Sequence, residues 1–551
     1  MRRAAGFSQR GAPVAVGLLL IGSFALVLHA GRDTTFFFDE WNFVTERRDW
    51  NLHVLLYAHN EHLSAVPVLV YKVLLETAGL DQYGAFRGVL ALLNALVGLL
   101  LYAYAAPRVG RWAAVALTAL VVFMGAGHMD LLWAFQIGFL ASLACGLGAL
   151  LAVDRETRRA DLLAAVLLAV GLGSSSLGLP IAAAVALDLL LRRGWRRLWV
   201  VGVPAALYAA WYLRYGVGAA DAANAGEVPR WLFEAAAGTM AALSGFGGTY
   251  GPVLALGLFA LVGAALAAPG GPRPRLVALA ALPLVFWAAT ALARADMAGD
   301  PDESRYLYPG GLFLALLIAE AGRGHRVPPR AVLPVAALLG VGVAANANEL
   351  ERGGDRLRVQ AQNVTATLNA LELLGREAVP EAARPNEVQV QLAAGAYFDT
   401  VANYGSSAAW SPRELPRAPA GLRADTDAAL VRLGAAGVDA GGEAAAAGEP
   451  PGVLGTTGLA AAPAGPCVRA TPSAGGAELA VAPVGDSLVV EAGAAPVGVR
   501  VARFADAFPE GGIGDVAAGA RSTVRFKRDR SDRPWRVSLR SAAPFRACAA
   551  R

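Results

Sequence analysis

The residues able to do chemistry in this chain are few and grouped. Asp39 and Glu40 stand side by side in Phe36-Phe37-Phe38-Asp39-Glu40-Trp41-Asn42-Phe43, just past the first apolar run. A carboxylate pair is costly to keep at a membrane surface, which argues for a task, and a carboxylate within reach of a hydroxyl can take its proton. The plain alternative is a solvated pair in a loop, with the aromatics as an interfacial belt. His59-Asn60-Glu61-His62 follows. These are ligand types for a divalent cation such as Mg or Mn, with Glu40 as a further donor, and on a helix His59 and His62 would share a face. Surface polar residues are the competing reading, and without a second ligand set no cofactor is assigned.

The elements that must position these groups are membrane helices. The chain has 551 residues, 56% of them hydrophobic and 17% charged, where a soluble domain carries about a quarter charged. After a basic start (Arg2, Arg3, Arg10), Gly11 to Ala30 is long for a signal peptide and has no clear small-residue cleavage site, so it reads as a retained helix. Further apolar runs cover roughly Phe86–Ala106, Trp112–Ala126, Leu131–Val153, Leu162–Leu172, Leu177–Leu191, Leu198–Leu213, Pro252–Ala268, Leu276–Ala293, Tyr306–Ala321 and Ala331–Ala345. One crossing each predicts a mainly α, polytopic bundle of about eleven spans. Arg108 and Arg111, Arg155 to Arg159, Arg192 to Arg197, Arg273 and Arg275, and Arg323 to Arg330 fall in alternate loops. The excess of Arg makes those loops and the amino terminus cytoplasmic, and an odd span count puts the carboxyl terminus outside.

On that topology the unusual polar residues share the outer face: Asp39, Glu40, His53, His59, Glu61, His62, His128, Asp130, and the stretch from Arg294 to Arg305. Of six His, only His325 lies inside. Longer outer loops, which hold more of everything, are the competing account. The first outer loop, 31–85, carries two expected surface helices, Arg47–Tyr57 and Leu63–Leu75, and Pro229-Arg230-Trp231-Leu232-Phe233 begins another. Trp41, Trp133 and Trp231 read as interfacial belt. The membrane domain is expected over 1–347. Residues 348–440 read as an extracytoplasmic mixed α/β region, with a strand pattern at Val388-Gln389-Val390-Gln391-Leu392. An Ala/Gly/Pro-rich linker follows at 441–465, then a small β-sandwich-like domain at 466–551 with alternating runs such as Ser487-Leu488-Val489-Val490-Glu491. Cys467 and Cys548 flank that domain and suit one disulfide outside the cytoplasm, while Cys145 reads as core.

This order of features resembles the GT-C glycosyltransferases, the polyprenyl-phosphate-sugar-dependent membrane enzymes that include protein O-mannosyltransferases and the aminoarabinose transferase. Asp39-Glu40 is similar to the family's first-loop acidic motif. Pro67 to Arg87 (PVLVYKVLLETAGLDQYGAFR) resembles the segment joining the second surface helix to the second span. Ser304-Arg305-Tyr306-Leu307-Tyr308-Pro309 resembles the Arg-Tyr-x-x-Pro lead-in to a late span. The resemblance covers roughly Met1 to Ala345. Two features depart from it: the family's double proline is a single Pro67 here, and His59-Asn60-Glu61-His62 is outside the general pattern.

The resemblance implies transfer of a sugar from a polyprenyl-phosphate donor to an acceptor on the outer side of a bacterial plasma membrane. The acceptor is a glycan, lipid or protein of the cell envelope, the anomeric carbon is inverted, and lipid but no nucleic acid takes part. Asp39 would be the base and Glu40 would orient it or a metal. Arg305, whose guanidinium can engage phosphate through two N–H groups, would hold the donor phosphate, with Arg87 and Lys72 as weaker candidates. His59, Glu61, His62, His128, Asp130 and Tyr306 would line the pocket. No Gly-rich nucleotide loop with Lys is present; Gly171-Leu172-Gly173-Ser174-Ser175-Ser176 is a short bend. Rival readings are a polyprenyl-lipid or glycan transporter or flippase, which tends to place its site near the midplane in paired repeats, and a non-catalytic cell-envelope scaffold.

Overall fold

The computed structural model describes residues 2–550 apart from 270, 272, 297–298, 326–328, 387–388, 409, 442–447 and 474–476. The chain divides into two compact units. The first is Met1–Thr34, Arg47–Ala78 and Gln82–Arg358; the second is Thr35–Glu46, Gly79–Asp81 and Val359–Arg551.

Each long apolar run of the first unit becomes a helix. In order these are α1 (Arg2–Ala30), the short α2 (Leu52–Leu56), α3 (Ala65–Ala78), α4 (Tyr83–Val109), α5 (Arg111–Val122), α6 (His128–Leu132), α7 (Ile137–Val153), α8 (Arg158–Ser174), α9 (Gly178–Leu191), α10 (Trp199–Tyr215), α11 (Val228–Ser244), α12 (Gly251–Leu266), α13 (Pro274–Arg294), α14 (Ser304–Ala321) and α15 (Pro329–Leu374). Among the described residues six helices are long and apolar enough to cross a membrane, or seven if α5 and Gly125–Leu132, bent by 41°, form one span. The expected eleven is therefore not reached on length and composition. The α9 helix, for example, has 14 residues, about 21 Å against an apolar thickness of about 30 Å.

Two polar devices hold the bundle. Where the Arg-rich loops meet, Glu320 is fully buried and accepts from Arg108 Nε at 2.6 Å and Tyr104 Oη at 3.2 Å. Arg108 also reaches Asp154 at 2.9 Å, Arg275 bridges Asp154 and Asp188 at 2.7 and 2.9 Å, and Arg197 pairs with Asp161 at 2.6 Å. These contacts tie the ends of α4, α7, α8, α9, α13 and α14. Deeper in, Tyr308 Oη donates to Asn94 Oδ1 at 2.6 Å, Asn94 Nδ2 donates to Ser23 Oγ at 3.0 Å, and Ser23 Oγ donates to the Val122 carbonyl at 2.9 Å. Buried polar side chains that satisfy one another link α1, α4, α5 and α14.

Three local expectations change. The Arg47–Tyr57 surface helix shrinks to the five residues of α2, because the Arg47 guanidinium donates to the Val54 and Tyr57 carbonyls and folds the loop back. The Pro229–Phe233 stretch belongs to α11, which packs on α12 and α14 and buries Trp231 instead of floating it at an interface. Trp41 and Trp133 are buried as well, so all three expected belt residues are core.

In the second unit, helices α16 (Ala394–Tyr404) and α17 (Ala420–Arg432) precede eleven described strands: β1 (Ala436–Ala440), β2 (Gly452–Thr457), β3 (Leu459–Ala464), β4 (Cys467–Pro472), β5 (Glu478–Ala482), β6 (Ser487–Ala492), β7 (Val497–Ala502), β8 (Gly514–Val516), β9 (Arg521–Phe526), β10 (Arg536–Arg540) and β11 (Phe545–Ala549). They form two antiparallel sheets, ordered β1-β9-β6-β11-β4-β3 and β2-β5-β10-β7-β8. The expected linker 441–465 thus contributes two edge strands, and β1, from the expected α/β region, pairs with β9. No strand forms among the described residues of the 388–392 pattern; Val388 itself lies outside them, and Gln389 is held by Asn386. Asp427 of α17 is buried and accepts from the backbone N–H groups of Arg503, Phe504 and Ala505 at 2.8 to 3.0 Å, fastening the helix to the chain after β7.

Cys467 and Cys548 are disulfide-bonded across β4 and β11, closing a separation of 81 residues. In the chain-entropy picture a closure of that size is worth roughly 4 kcal/mol. The double variant Cys467→Ser with Cys548→Ser should therefore unfold its β region well below the native protein, read by limited proteolysis against temperature. Equal protease resistance would show that the bond is not structural.

Candidate active site

Two adjoining cavities in the first unit bring together Glu61, Arg294, Glu303 and Arg305, four of the charges expected on the outer face. The larger, about 640 Å³, is lined by residues that include Tyr57, Asn60, Glu61, Tyr215, Arg294, Glu303 and Arg305. The second, about 440 Å³, adds His62, Ser176, Leu179, Pro180, Tyr208, Tyr212, Phe286 and Tyr306. Glu61, Val217, Gly218, Ala219, Arg294 and Arg305 belong to both. A charged mouth therefore continues into a largely apolar trough.

The mouth is internally neutralised. Glu61 forms an ion pair with Arg294 at the end of α13, and Arg305 Nε pairs with Glu303 Oε2 at 2.7 Å. Arg305 opens α14, where its guanidinium lies 5.0 Å from the Tyr306 ring centroid and stays partly exposed. His62 Nδ1 meets Ser176 Oγ at 2.6 Å, and His62 Nε2 stands 3.9 Å from Glu61 Oε1.

The His59-Asn60-Glu61-His62 cluster is a tight turn, not a helix. The backbones of His59 and His62 hydrogen-bond each other in both directions, at 3.1 and 2.9 Å. Asn60 takes φ +51°, a region Asn enters readily. The turn sends Glu61 and His62 to the cavities, while His59 is buried against Phe135. The two imidazoles therefore do not share a helix face, and no group of three or more His, Cys, Asp or Glu suited to a metal ion occurs among the described residues.

Other expected site residues lie elsewhere. Lys72 is buried in α3, donates to the Asp49 carbonyl at 2.7 Å and lies 5.0 Å from the Trp50 ring. Burial lowers its pKa, against the opposing pull of Asp49 and Glu76. Arg87 donates to the Gly31 carbonyl and fastens the end of α1. His128 Nδ1 meets Ser304 Oγ at 3.2 Å. Asp130 is fully buried beneath α14, and its carboxylate oxygens have no hydrogen-bond partner among the described residues. None of these four is a lining residue of either cavity. Arg294 and Glu303 do line the mouth, although the sequence marked them only as outer-face charges. For Arg294 the missing signal was its pairing with Glu61, far away in the chain.

Asp39 and Glu40 belong to the second unit, where their environments differ. Phe37-Phe38-Asp39-Glu40 forms a turn with Phe38 at φ +46°, a left-handed conformation that costs a bulky residue about 1 kcal/mol. Two contacts hold it there: Phe38 N donates to Gln389 Oε1 at 2.7 Å, and the fully buried Glu40 accepts from Phe37 N at 2.8 Å. Asp39 stays half-buried, with Gln391 Nε2 donating to it at 3.2 Å. Behind the turn, Trp41 packs edge-on against Tyr397 at 5.9 Å, and Tyr397 Oη donates to Glu372 at 2.7 Å. Glu40 therefore braces the loop that presents Asp39.

Among solved structures the chain is similar to the arabinosyltransferase EmbB from Mycobacterium smegmatis, at 12% identity and a TM-score of 0.36 over 97% of this chain and 64% of that one. It is also similar to the arabinofuranosyltransferase AftD from mycobacteria, at 12% identity and a TM-score of 0.38 over 98% of this chain and 58% of that one. The chain thus spans about three-fifths of the length of these structures. No protein-family model matches the chain. No curated protein matches it.

Because Lys72 spends its ammonium on the Asp49 carbonyl and Trp50, Lys72→Met should cost stability, roughly 1–2 kcal/mol, and leave binding of farnesyl phosphate in detergent unchanged. A loss of binding without a loss of thermal stability would return Lys72 to the site.

Proposed function

We propose that this chain is a GT-C-type integral-membrane glycosyltransferase. It moves a sugar from a polyprenyl-phosphate-linked donor to a glycan, lipid or protein acceptor outside a bacterial plasma membrane. The observation that carries the reading is the cavity pair of the first unit: Arg305 stands at a charged mouth that continues into a trough walled by Leu179, Pro180, Tyr208 and Phe286. That combination suits an amphiphile with an anionic head and an apolar tail. In this reading the amino terminus is cytoplasmic, and the second unit is extracytoplasmic and offers a surface for glycan or acceptor.

The chemistry assigned is a single displacement. The acceptor oxygen bonds to the anomeric carbon as the bond from that carbon to the lipid phosphate oxygen breaks. The phosphate leaves with the electron pair, steadied by Arg305. The acceptor proton passes to the Asp39 carboxylate, which Glu40 holds in place by bracing its turn. Attack opposite the leaving group inverts the anomeric carbon.

The test is transfer of labelled sugar from polyprenyl-phosphate donors into cell-envelope acceptors by membranes with native protein, Asp39→Asn or Arg305→Gln at equal expression. General-base catalysis is worth about 10²–10⁴-fold, so Asp39→Asn should lose at least about a hundredfold in rate. Arg305→Gln should raise KM for the donor as well as lower the rate. Unchanged transfer by Asp39→Asn removes it as base; no transfer by native membranes across several donors removes the enzyme reading.

A further inference from the structure

The lining of the two cavities contains two guanidinium groups, Arg294 and Arg305, and both belong to both cavities. They are not equivalent. Arg305 is 44% exposed with its partner Glu303 33% exposed, whereas Arg294 and Glu61 are 23% and 19% exposed. Arg294 and Glu61 therefore form the more enclosed pair, at the junction where the mouth gives way to the trough. Glu61 is delivered there by the left-handed turn at Asn60, and Arg294 by the last turn of α13. Glu61 also has a second neighbour, His62 Nε2 at 3.9 Å, so its carboxylate is not abandoned if Arg294 leaves it.

We propose that Arg294 is a second anion clamp, that it holds the phosphate of a prenyl-phosphate lipid together with Arg305, and that Glu61 is a resident counter-anion which this phosphate displaces. The inference rests on the donor reading above and adds to it a residue pair and a sign. A guanidinium cannot offer the same N–H groups to a carboxylate and a phosphate at once. The ligand's affinity is thus its intrinsic affinity reduced by the stability of the Glu61–Arg294 pair, as for any site that must leave a closed state before binding. Removing Glu61 and removing Arg294 then act in opposite directions, which a merely structural ion pair would not do: there, either loss disturbs the same wall and weakens binding.

The experiment measures binding of farnesyl phosphate, farnesol and inorganic phosphate to purified full-length protein in detergent. The proteins compared are native, Glu61→Gln, Arg294→Gln and the double variant, each matched for thermal unfolding. Glu61→Gln should tighten farnesyl phosphate about three- to tenfold, and Arg294→Gln should weaken it about tenfold or more, the size of effect expected when a hydrogen bond to a charged group is lost. The double variant should match Arg294→Gln, since Glu61 acts only through Arg294, and farnesol should show neither shift. The same sign pattern with inorganic phosphate also supports the clamp, and assigns it to the phosphate alone. Glu61→Gln that weakens or leaves farnesyl phosphate binding unchanged, in a protein that still unfolds like the native one, overturns the inference and leaves the donor reading standing. Native protein that binds neither phosphate overturns both.

Discussion

Helix α14 must bury 15 of its 18 residues while carrying a charge near each end, and much of the first unit follows from how it does so. Burying a lone carboxylate costs several kcal/mol, a cost that close counter-charges and hydrogen bonds offset. Glu320 therefore gathers Arg108 and Tyr104 from α4, with Arg273 and Arg323 at 3.7 and 3.5 Å. That pairing fixes where α14 sits along its own axis. Arg305 lies fifteen residues earlier, about 22 Å along the helix. A guanidinium at the cavity mouth is held in register by a carboxylate at the far end of the same rod.

Close packing sets the remaining degrees of freedom. A Cβ at Gly310 would meet Thr239 Oγ1 at 2.9 Å, and one at Gly311 would meet Met124 Sδ at 2.8 Å. Two successive glycines let α11 and the Met124 loop approach the helix backbone, the small-residue packing that membrane bundles use in place of a hydrophobic driving force. Tyr308, two residues before this pair, spends its hydroxyl on Asn94 and so locks rotation. Rotation, depth and approach are each set by a different interaction, which is the support a binding residue needs to hold its geometry.

What was legible in the sequence was whatever composition and spacing encode locally. Each long apolar run formed a helix, the alternate Arg-rich loops came together in one ion-paired layer, and the two cysteines bonded. What was not legible depends on the third dimension. His59 and His62 have a helix-like spacing, yet a turn through Asn60 sets one inward and one toward the cavity. Lys72 has the charge to hold a phosphate but is consumed by a carbonyl only the folded loop brings near. Trp41, Trp133 and Trp231 have belt-like neighbours and are core, because burial depends on which helix packs over them. The Ala/Gly/Pro composition of 452–464 reads as linker, but Ala and Gly at a sheet edge need only a paired neighbour, and β5 and β4 supply it.

The charge balance of the mouth bears on which anions it can keep. Arg294 and Arg305 face Glu61 and Glu303, two cations against two carboxylates, so the resting lining has no net charge from these four residues. A small free anion gains little there, since it must break an existing pair to make a new one and its hydration is lost in the exchange. An anion attached to a hydrocarbon chain is in a different position. Each methylene it buries adds about 0.8 kcal/mol, and Leu179, Pro180, Tyr208 and Phe286 provide the surface beside the same two arginines. On the proposed reading, selectivity for a lipid-borne phosphate over soluble phosphate then comes from the pre-formed ion pairs as much as from the trough. The carboxylates raise the threshold for every anion, and only a ligand with a tail brings enough additional free energy to cross it.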